Sequence, residues 1–174
     1  GDRPIVFTAG SAMRTGHRFF FAAADACRRL GRPGLLVAGD DEQIPVNLPG
    51  NVRHVAFAPF GQLFPRAAAV VGHGGIGTTA QAMRAGVPQV IVPFSHDQPD
   101  NADRVERLGL GVELRPSRLT GRRLARLLDR VVADRQVGAR CRGVADRFEG
   151  VDPLARACDH LEALGRTVGN QPHA

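Results

Sequence analysis

Lysine is absent from the sequence, so every one of its 23 basic side chains is an arginine. That excludes Schiff-base chemistry at a lysine amine and a phosphate loop of the kind that ends in lysine. Tyrosine and tryptophan are absent as well, which removes two of the aromatic side chains on which nucleic-acid bases stack. The arginines are interleaved with Asp and Glu along helical stretches rather than gathered in a run. The formal net charge of +6 therefore reads as an arginine-biased composition, and no nucleic-acid partner is expected. Cysteine is scarce: Cys27, Cys141 and Cys158 are far apart, odd in number and free of any C-x-x-C or metal spacing. Unpaired thiols in a reducing compartment and no bound metal are the expectation. No stretch approaches the ~18 consecutive apolar residues of a membrane span, and no charged-then-apolar leader opens the chain. A soluble cytoplasmic protein is expected. No internal repeat is visible.

What is present suffices for one domain: 174 residues, 43% of them hydrophobic. Gly1-Asp2-Arg3-Pro4 leads straight into an apolar strand, as a cut in an interdomain linker would. Short strands are predicted at 5–8, 35–38, 52–57, 69–71, 89–92 and 112–114, most of them runs of apolar residues and 52–57 alternating apolar and polar before it turns wholly apolar. Helical spacing is predicted over 17–30, through Leu63 and Phe64, over 78–85 and from Asp97 or Asp100 to Leu108. Three more helices follow Thr120, and a loop rich in Asp, Gly, Asn and Pro fills 39–50. Strands that alternate with helices and are apolar throughout indicate an α/β chain with a parallel sheet of about six strands and helices on both faces. In such sheets ligands bind outside the carboxyl ends of the strands. The domain is expected to occupy residues 1–166, with 167–174 as a tail.

The most informative stretch is Val70-Val71-Gly72-His73-Gly74-Gly75-Ile76-Gly77-Thr78-Thr79, a strand that breaks into glycines and resumes as a helix. Glycines let backbone approach a ligand closely, and free N–H groups at a helix start favour an anion such as a diphosphate. His73 adds a side-chain donor. One strand later, Pro93-Phe94-Ser95-His96-Asp97-Gln98 supplies carboxylate and amide groups. Gly72, Gly74 and Gly77 also fit G-x-G-x-x-G with Asp97 about twenty residues on, the fingerprint of a dinucleotide-dependent oxidoreductase. That fingerprint follows the first strand of its fold and contains no histidine, whereas several strand-helix units precede it here. Structural readings stand beside the functional ones: His73 as a satisfied core histidine, Asp97 as a helix cap, Phe57 as core. His17, His54, His96 and His160 have no partners at metal spacing, no orienting partner is apparent for His96, and no Ser-His-Asp set assembles.

Together with Phe57-Ala58-Pro59-Phe60, Ala85-Gly86-Val87-Pro88, Asn101-Ala102 and Gly109-Leu110-Gly111, these motifs resemble the C-terminal donor-binding domain of family 1, UDP-glycosyltransferase-like enzymes. The resemblance covers most of the chain. It is strongest to bacterial members that glycosylate lipids, sterols, macrolides or other natural products, rhamnosyltransferase B-subunit-like proteins included. It implies a Rossmann-like domain that forms one half of a GT-B fold. The donor would be a UDP- or dTDP-linked sugar, with no metal or other cofactor, and the full-length enzyme would transfer a hexose to a lipid or other small-molecule acceptor. By the same resemblance His73 contacts the diphosphate, Gly75, Gly77 and Thr78 complete its cradle, and Gly10 and Ser11 form a turn near the same phosphates. Phe57 stacks on the base, Ala58 bonds its edge through backbone groups, and Gln81 bonds a ribose hydroxyl. Asp97 and Gln98 hold the hydroxyls of the transferred sugar.

Plant members carry glutamine at the position of Phe60 and glutamate at that of Gln81. The family's catalytic histidine and acceptor pocket belong to an N-terminal domain, so no catalytic residue is expected in this chain, and the N-terminal acceptor-binding domain of the same protein is the implied partner. A nucleotide-binding regulatory module without catalysis is the alternative.

Overall fold

The computed structural model describes residues 2–10 and 16–168; Pro153 and residues 167–168 are described in backbone only. Six strands form one all-parallel sheet: β1 (Ile5–Thr8), β2 (Gly34–Val37), β3 (Val52–Val55), β4 (Ala69–Gly72), β5 (Gln89–Ile91) and β6 (Gly111–Glu113), in the order β3-β2-β1-β4-β5-β6. Between and after them lie α1 (His17–Leu30), α2 (Phe60–Leu63), α3 (Ile76–Arg84), α4 (Gln98–Arg107), α5 (Gly121–Ala133), α6 (Arg135–Ala145) and α7 (Pro153–Val168). This is the α/β Rossmann-like architecture expected from the alternating pattern.

Both faces of the sheet are covered because the strands bury alternate residues on opposite sides. Ile5, Phe7, Val71 and Val90 join Phe19, Phe20 and Cys27 of α1 and Leu124 and Leu128 of α5 in one core. Val6, Val70 and Val37 point the other way and meet Phe64, Ala82 and Val87. A third cluster places Ile91 with Ala102 and Val105 of α4 and with Cys141 of α6. Burial pushes the Cys27 thiol up to about 12 and the Cys141 thiol up to about 11. Both stay protonated and serve as small apolar side chains. Among the described residues no helix is long and apolar enough to cross a membrane.

Several boundaries differ from the sequence reading. β3 ends at Val55, not at residue 57, because it is an edge strand whose last partner is Val37 of β2. Beyond that point no neighbour offers a ladder, and Phe57 lies in a loop. α3 starts at Ile76, two residues earlier than its apolar pattern suggests, with Gly75 as its extended N-cap. The loop 39–50 holds a short 3-10 turn at Asp41–Gln43, fastened by the Asp40 side chain accepting from Glu42 N–H at 3.0 Å. α7 runs to Val168, two residues into the segment read as a tail; residues 169–174 lie outside the described residues.

The order of the strands decides where a ligand goes. The chain winds outward from β1 in one direction and from β4 in the other, and these two strands are neighbours with Thr8 paired to Gly72. The two strands end side by side where the winding reverses, and in such sheets a crevice opens at this point of the carboxyl edge.

Candidate functional site

The crevice is an open cleft of about 660 Å³. Gly10, Phe57, Ala58, His73, Gly75, Gly77, Thr78 and Gln81 all line it, so most of the residues singled out from the sequence come together. Ser11 lies outside the described residues. Thr8, Gly39 and Ile76 also line the cleft. They were not picked out, although the rule that ligands sit beyond strand ends applies to Thr8 and Gly39 as it does to Gly10.

His73 leaves β4 and lays its ring between two glycines. A Cβ placed on Gly10, whose φ is +80°, would come within 2.5 Å of the His73 Cε1 and 2.7 Å of its Nε2; one placed on Gly75 would overlap Nε2. Glycine at these positions is therefore a condition for the imidazole to lie flat on the loop, in addition to the left-handed backbone that Gly10 requires. Gly74, at φ +91°, clears Ile91 beneath it for the same reason. The buried Nδ1 has no hydrogen-bond partner among the described residues. Burial holds the His73 pKa below its ordinary value, and the charge of Asp97 opposes that shift. The ring is a neutral, incompletely paired group beside an open cleft, and an anion there would stabilise its protonated form.

Behind His73 stands the start of α3. Gly75 gives it no side-chain cap and its first turn contains no acidic residue, so among the described residues no side chain accepts from its first N–H groups, which lie at the cleft. An uncapped nine-residue helix whose dipole points at a neutral histidine is a receptor for negative charge.

Phe57 is 81% exposed at the mouth of the cleft, which overturns its reading as core. Its neighbour Phe60 stacks on Phe64 with ring centroids 4.5 Å apart, so that ring is committed to α2 packing while the Phe57 face is free. Gln81 is exposed in the lining of the cleft and donates from Nε2 to the Gly77 carbonyl at 3.3 Å.

Asp97 and Gln98 do not line this cleft; they open α4 one loop away. The sequence allowed Asp97 to be a helix cap, and it does occupy the N-cap position, but its side chain accepts no N–H from the first turn. Its Oδ2 instead accepts from Asn101 Nδ2 at 2.8 Å. The same amide donates to the Gly74 carbonyl at 2.8 Å. Asn101 is 8% exposed and ties the glycine loop to the Asp97 carboxylate. It was seen in the sequence only as part of a motif; the sign of its role was its i+4 spacing from Asp97 on one helix face. Gln98 Oε1 accepts from the backbone N–H groups of Phe94 and Ser95 at 2.8 and 3.1 Å. The oxygen end of that side chain is therefore used to hold the loop. Between them His96 has φ +58°, and its Nδ1 lies 2.7 Å from Ser95 Oγ. It does have an orienting partner, contrary to expectation. Among the described residues no group of three or more His, Cys, Asp or Glu side chains could hold a metal ion.

The glycine fingerprint follows β4 and not the first strand, with a histidine in its middle. A doubly wound sheet with such a loop at its switch point is the C-terminal-domain architecture of GT-B glycosyltransferases, and comparison with known proteins gives the same class. A family profile described as "Erythromycin biosynthesis protein CIII-like, C-terminal domain" matches residues 35–156. The chain belongs to that family, within the family 1 glycosyltransferases. An O-mycaminosyltylonolide 6-deoxyallosyltransferase of Streptomyces fradiae is 36% identical over 181 aligned positions, covering 99% of this chain and 41% of that protein. The solved structure of CalG4, the calicheamicin glycosyltransferase, superposes with a TM-score of 0.83 at 32% identity, over 95% of this chain and 43% of the other. Glycosyltransferase VinC, solved in complex with dTDP, gives 0.78 at 28% identity, over 95% of this chain and 42% of its own. The chain thus spans about two-fifths of the length of these relatives.

Proposed function

We infer that this chain is the donor half of a glycosyltransferase, binding a UDP- or dTDP-linked sugar in the cleft between the β1 and β4 loops. The observation that carries the reading is the pairing of His73, whose Nε2 edge lies between Gly10 and Gly75 in the lining of the cleft, with the uncapped start of α3. Both present positive charge or N–H donors to one point, as a leaving diphosphate requires. As the sugar–phosphate bond breaks, charge grows on the diphosphate, and preorganised donors aimed at that charge lower the barrier. In this role the histidine and the helix supply what a metal would otherwise supply, so the reading assigns no metal.

The remaining residues divide the donor among them. Phe57 offers an exposed ring for the base with Ala58 beside it, Gln81 faces the ribose, and Asp97 and Gln98 face the transferred hexose. The acceptor, a lipid or other small molecule, and the base that deprotonates it belong to an N-terminal domain of the same protein. The relatives' greater length supports that division. The compartment proposed is the cytoplasm, in keeping with three free cysteines.

Calorimetric titration of the chain with UDP, dTDP and their sugars, with and without a chelator, tests this. One site unaffected by the chelator and weakened by ~1.5–3 kcal/mol in His73→Ala is expected. Equal affinities for the two proteins would remove His73 from the site. Loss of binding with the chelator would remove the metal-free mechanism.

A further inference from the structure

A second cleft, of about 870 Å³, lies at the other end of the sheet, beside the edge strand β6. Five arginines line it: Arg115 and Arg118 from the turn after β6, and Arg123, Arg126 and Arg130 from α5. The last three are spaced i, i+3, i+7, which sets them along one helix face. The Thr120 side chain caps α5 by accepting from Arg123 N–H, and Arg123 Nη1 reaches back to the Arg118 carbonyl at 3.4 Å. The turn and the helix are thereby fastened in one geometry.

Five arginines elsewhere in the chain have a carboxylate partner. Arg28 and Arg29 pair with Asp25, Arg104 with Asp100, Arg107 with Asp103 and Arg166 with Glu162. No described residue forms an ion pair with any of the five arginines of the cleft. Two carboxylates share the lining, Glu106 and Glu113. Glu106 is turned to the backbone, its Oε1 accepting from Glu113 N–H at 2.7 Å. Five positive charges against two negative ones, lining one concave space, repel one another until an anion enters. Guanidinium groups present planar pairs of donors that match the oxygens of a phosphate group. The concavity favours a compact group over a flat acidic protein surface.

We propose that this cleft is a second anion site, distinct from the donor cleft, that takes a ligand bearing one or more phosphate groups. The ligand is either a free phosphorylated molecule or the headgroup of an anionic phospholipid. Recognition is by guanidinium-phosphate pairs, so binding weakens as salt rises.

The test uses the 174-residue chain and its Arg118→Gln/Arg126→Gln/Arg130→Gln variant, all three positions being exposed, with inorganic triphosphate as the soluble probe. Calorimetry is run with dTDP in excess to occupy the donor cleft. Triphosphate is expected to bind the parent chain, and the variant to bind it at least roughly a hundredfold more weakly, each lost charged hydrogen bond weakening binding by about tenfold or more. In parallel, both proteins are sedimented with phosphatidylcholine vesicles with and without phosphatidylglycerol. Retention of the parent but not the variant on the anionic vesicles assigns the phosphate to a lipid headgroup; triphosphate binding without retention assigns it to a soluble ligand. Titration of the variant with dTDP alone keeps the two clefts apart, because unchanged affinity there leaves the donor reading untouched. Failure of the parent to bind either probe, or equal binding by parent and variant, overturns the proposal.

Discussion

The Gly77→Ala substitution moves stability and affinity in opposite directions if the anion sits where the geometry places it. Gly77 is the second residue of α3, has no positive φ, and a Cβ added to it meets nothing within 4 Å. In the empty protein the change therefore removes only conformational freedom from the unfolded chain, a gain of ~0.4–1 kcal/mol where the backbone tolerates alanine. For a chain of this size that raises the melting temperature by roughly 1–4 °C. The open space around the new methyl belongs to the cleft. A phosphate oxygen bonded to the helix N–H groups needs a donor at about 2.7–2.9 Å, whereas a methyl carbon demands about 3.5 Å or more. The diphosphate must retreat and give up one or two charge-assisted hydrogen bonds, at ~1.5–3 kcal/mol each, so dTDP affinity falls by at least roughly tenfold. Gly143→Ala, within α6 and also meeting nothing within 4 Å, is the control: it gains stability and leaves affinity unchanged. Thermal melts without ligand and calorimetry with dTDP on the three proteins decide the matter. A Gly77→Ala protein that binds dTDP as tightly as the parent would refute the cradle.

Further consequences follow from single side chains. His73 has its pKa held below 6.5 by burial, so as pH falls through 6.5 the unfolded chain takes up a proton before the folded one; the ligand-free protein is expected to lose stability from 6.5 down toward the lower folded value, as read by pH-dependent melts, and His73→Asn to lack that component. UDP-glucose, whose diphosphate favours the protonated ring, should bind more tightly over the same fall, measured by calorimetry. Phe57→Ala, at a ring 81% exposed, should change urea stability by no more than about 0.5 kcal/mol while weakening UDP by ~1–3 kcal/mol through lost stacking. Asn101→Leu leaves the Gly74 carbonyl without its donor and should cost ~1–3 kcal/mol in urea unfolding.

The fold was legible in the sequence because the central strands are short runs of mostly apolar residues and their neighbours have helical spacing, so two different patterns mark the two kinds of element. The glycine loop was legible for a related reason: a histidine set among glycines after a strand is an unusual pattern, and Gly10 and Gly75 prove to be the positions where a side chain would collide with the imidazole. What escaped was decided by how strands end and loops close in space. Phe57 continues an apolar run, yet its strand stops because β2 stops opposite it. The commitment of Gln98 Oε1 to Phe94 and Ser95 depends on how one loop closes. The arginines of α5 looked like the solvated face of any surface helix, and only the fold sets them against Arg115 and Arg118 with so little acid nearby.

The most direct measurement of donor binding in this cleft is a crystal structure of the chain with dTDP. The diphosphate is expected within hydrogen-bond distance of His73 Nε2 and of the backbone N–H groups at the start of α3, with the base against Phe57. A nucleotide bound elsewhere, or one in the cleft whose phosphates point away from His73 and α3, would contradict the assignment of this site.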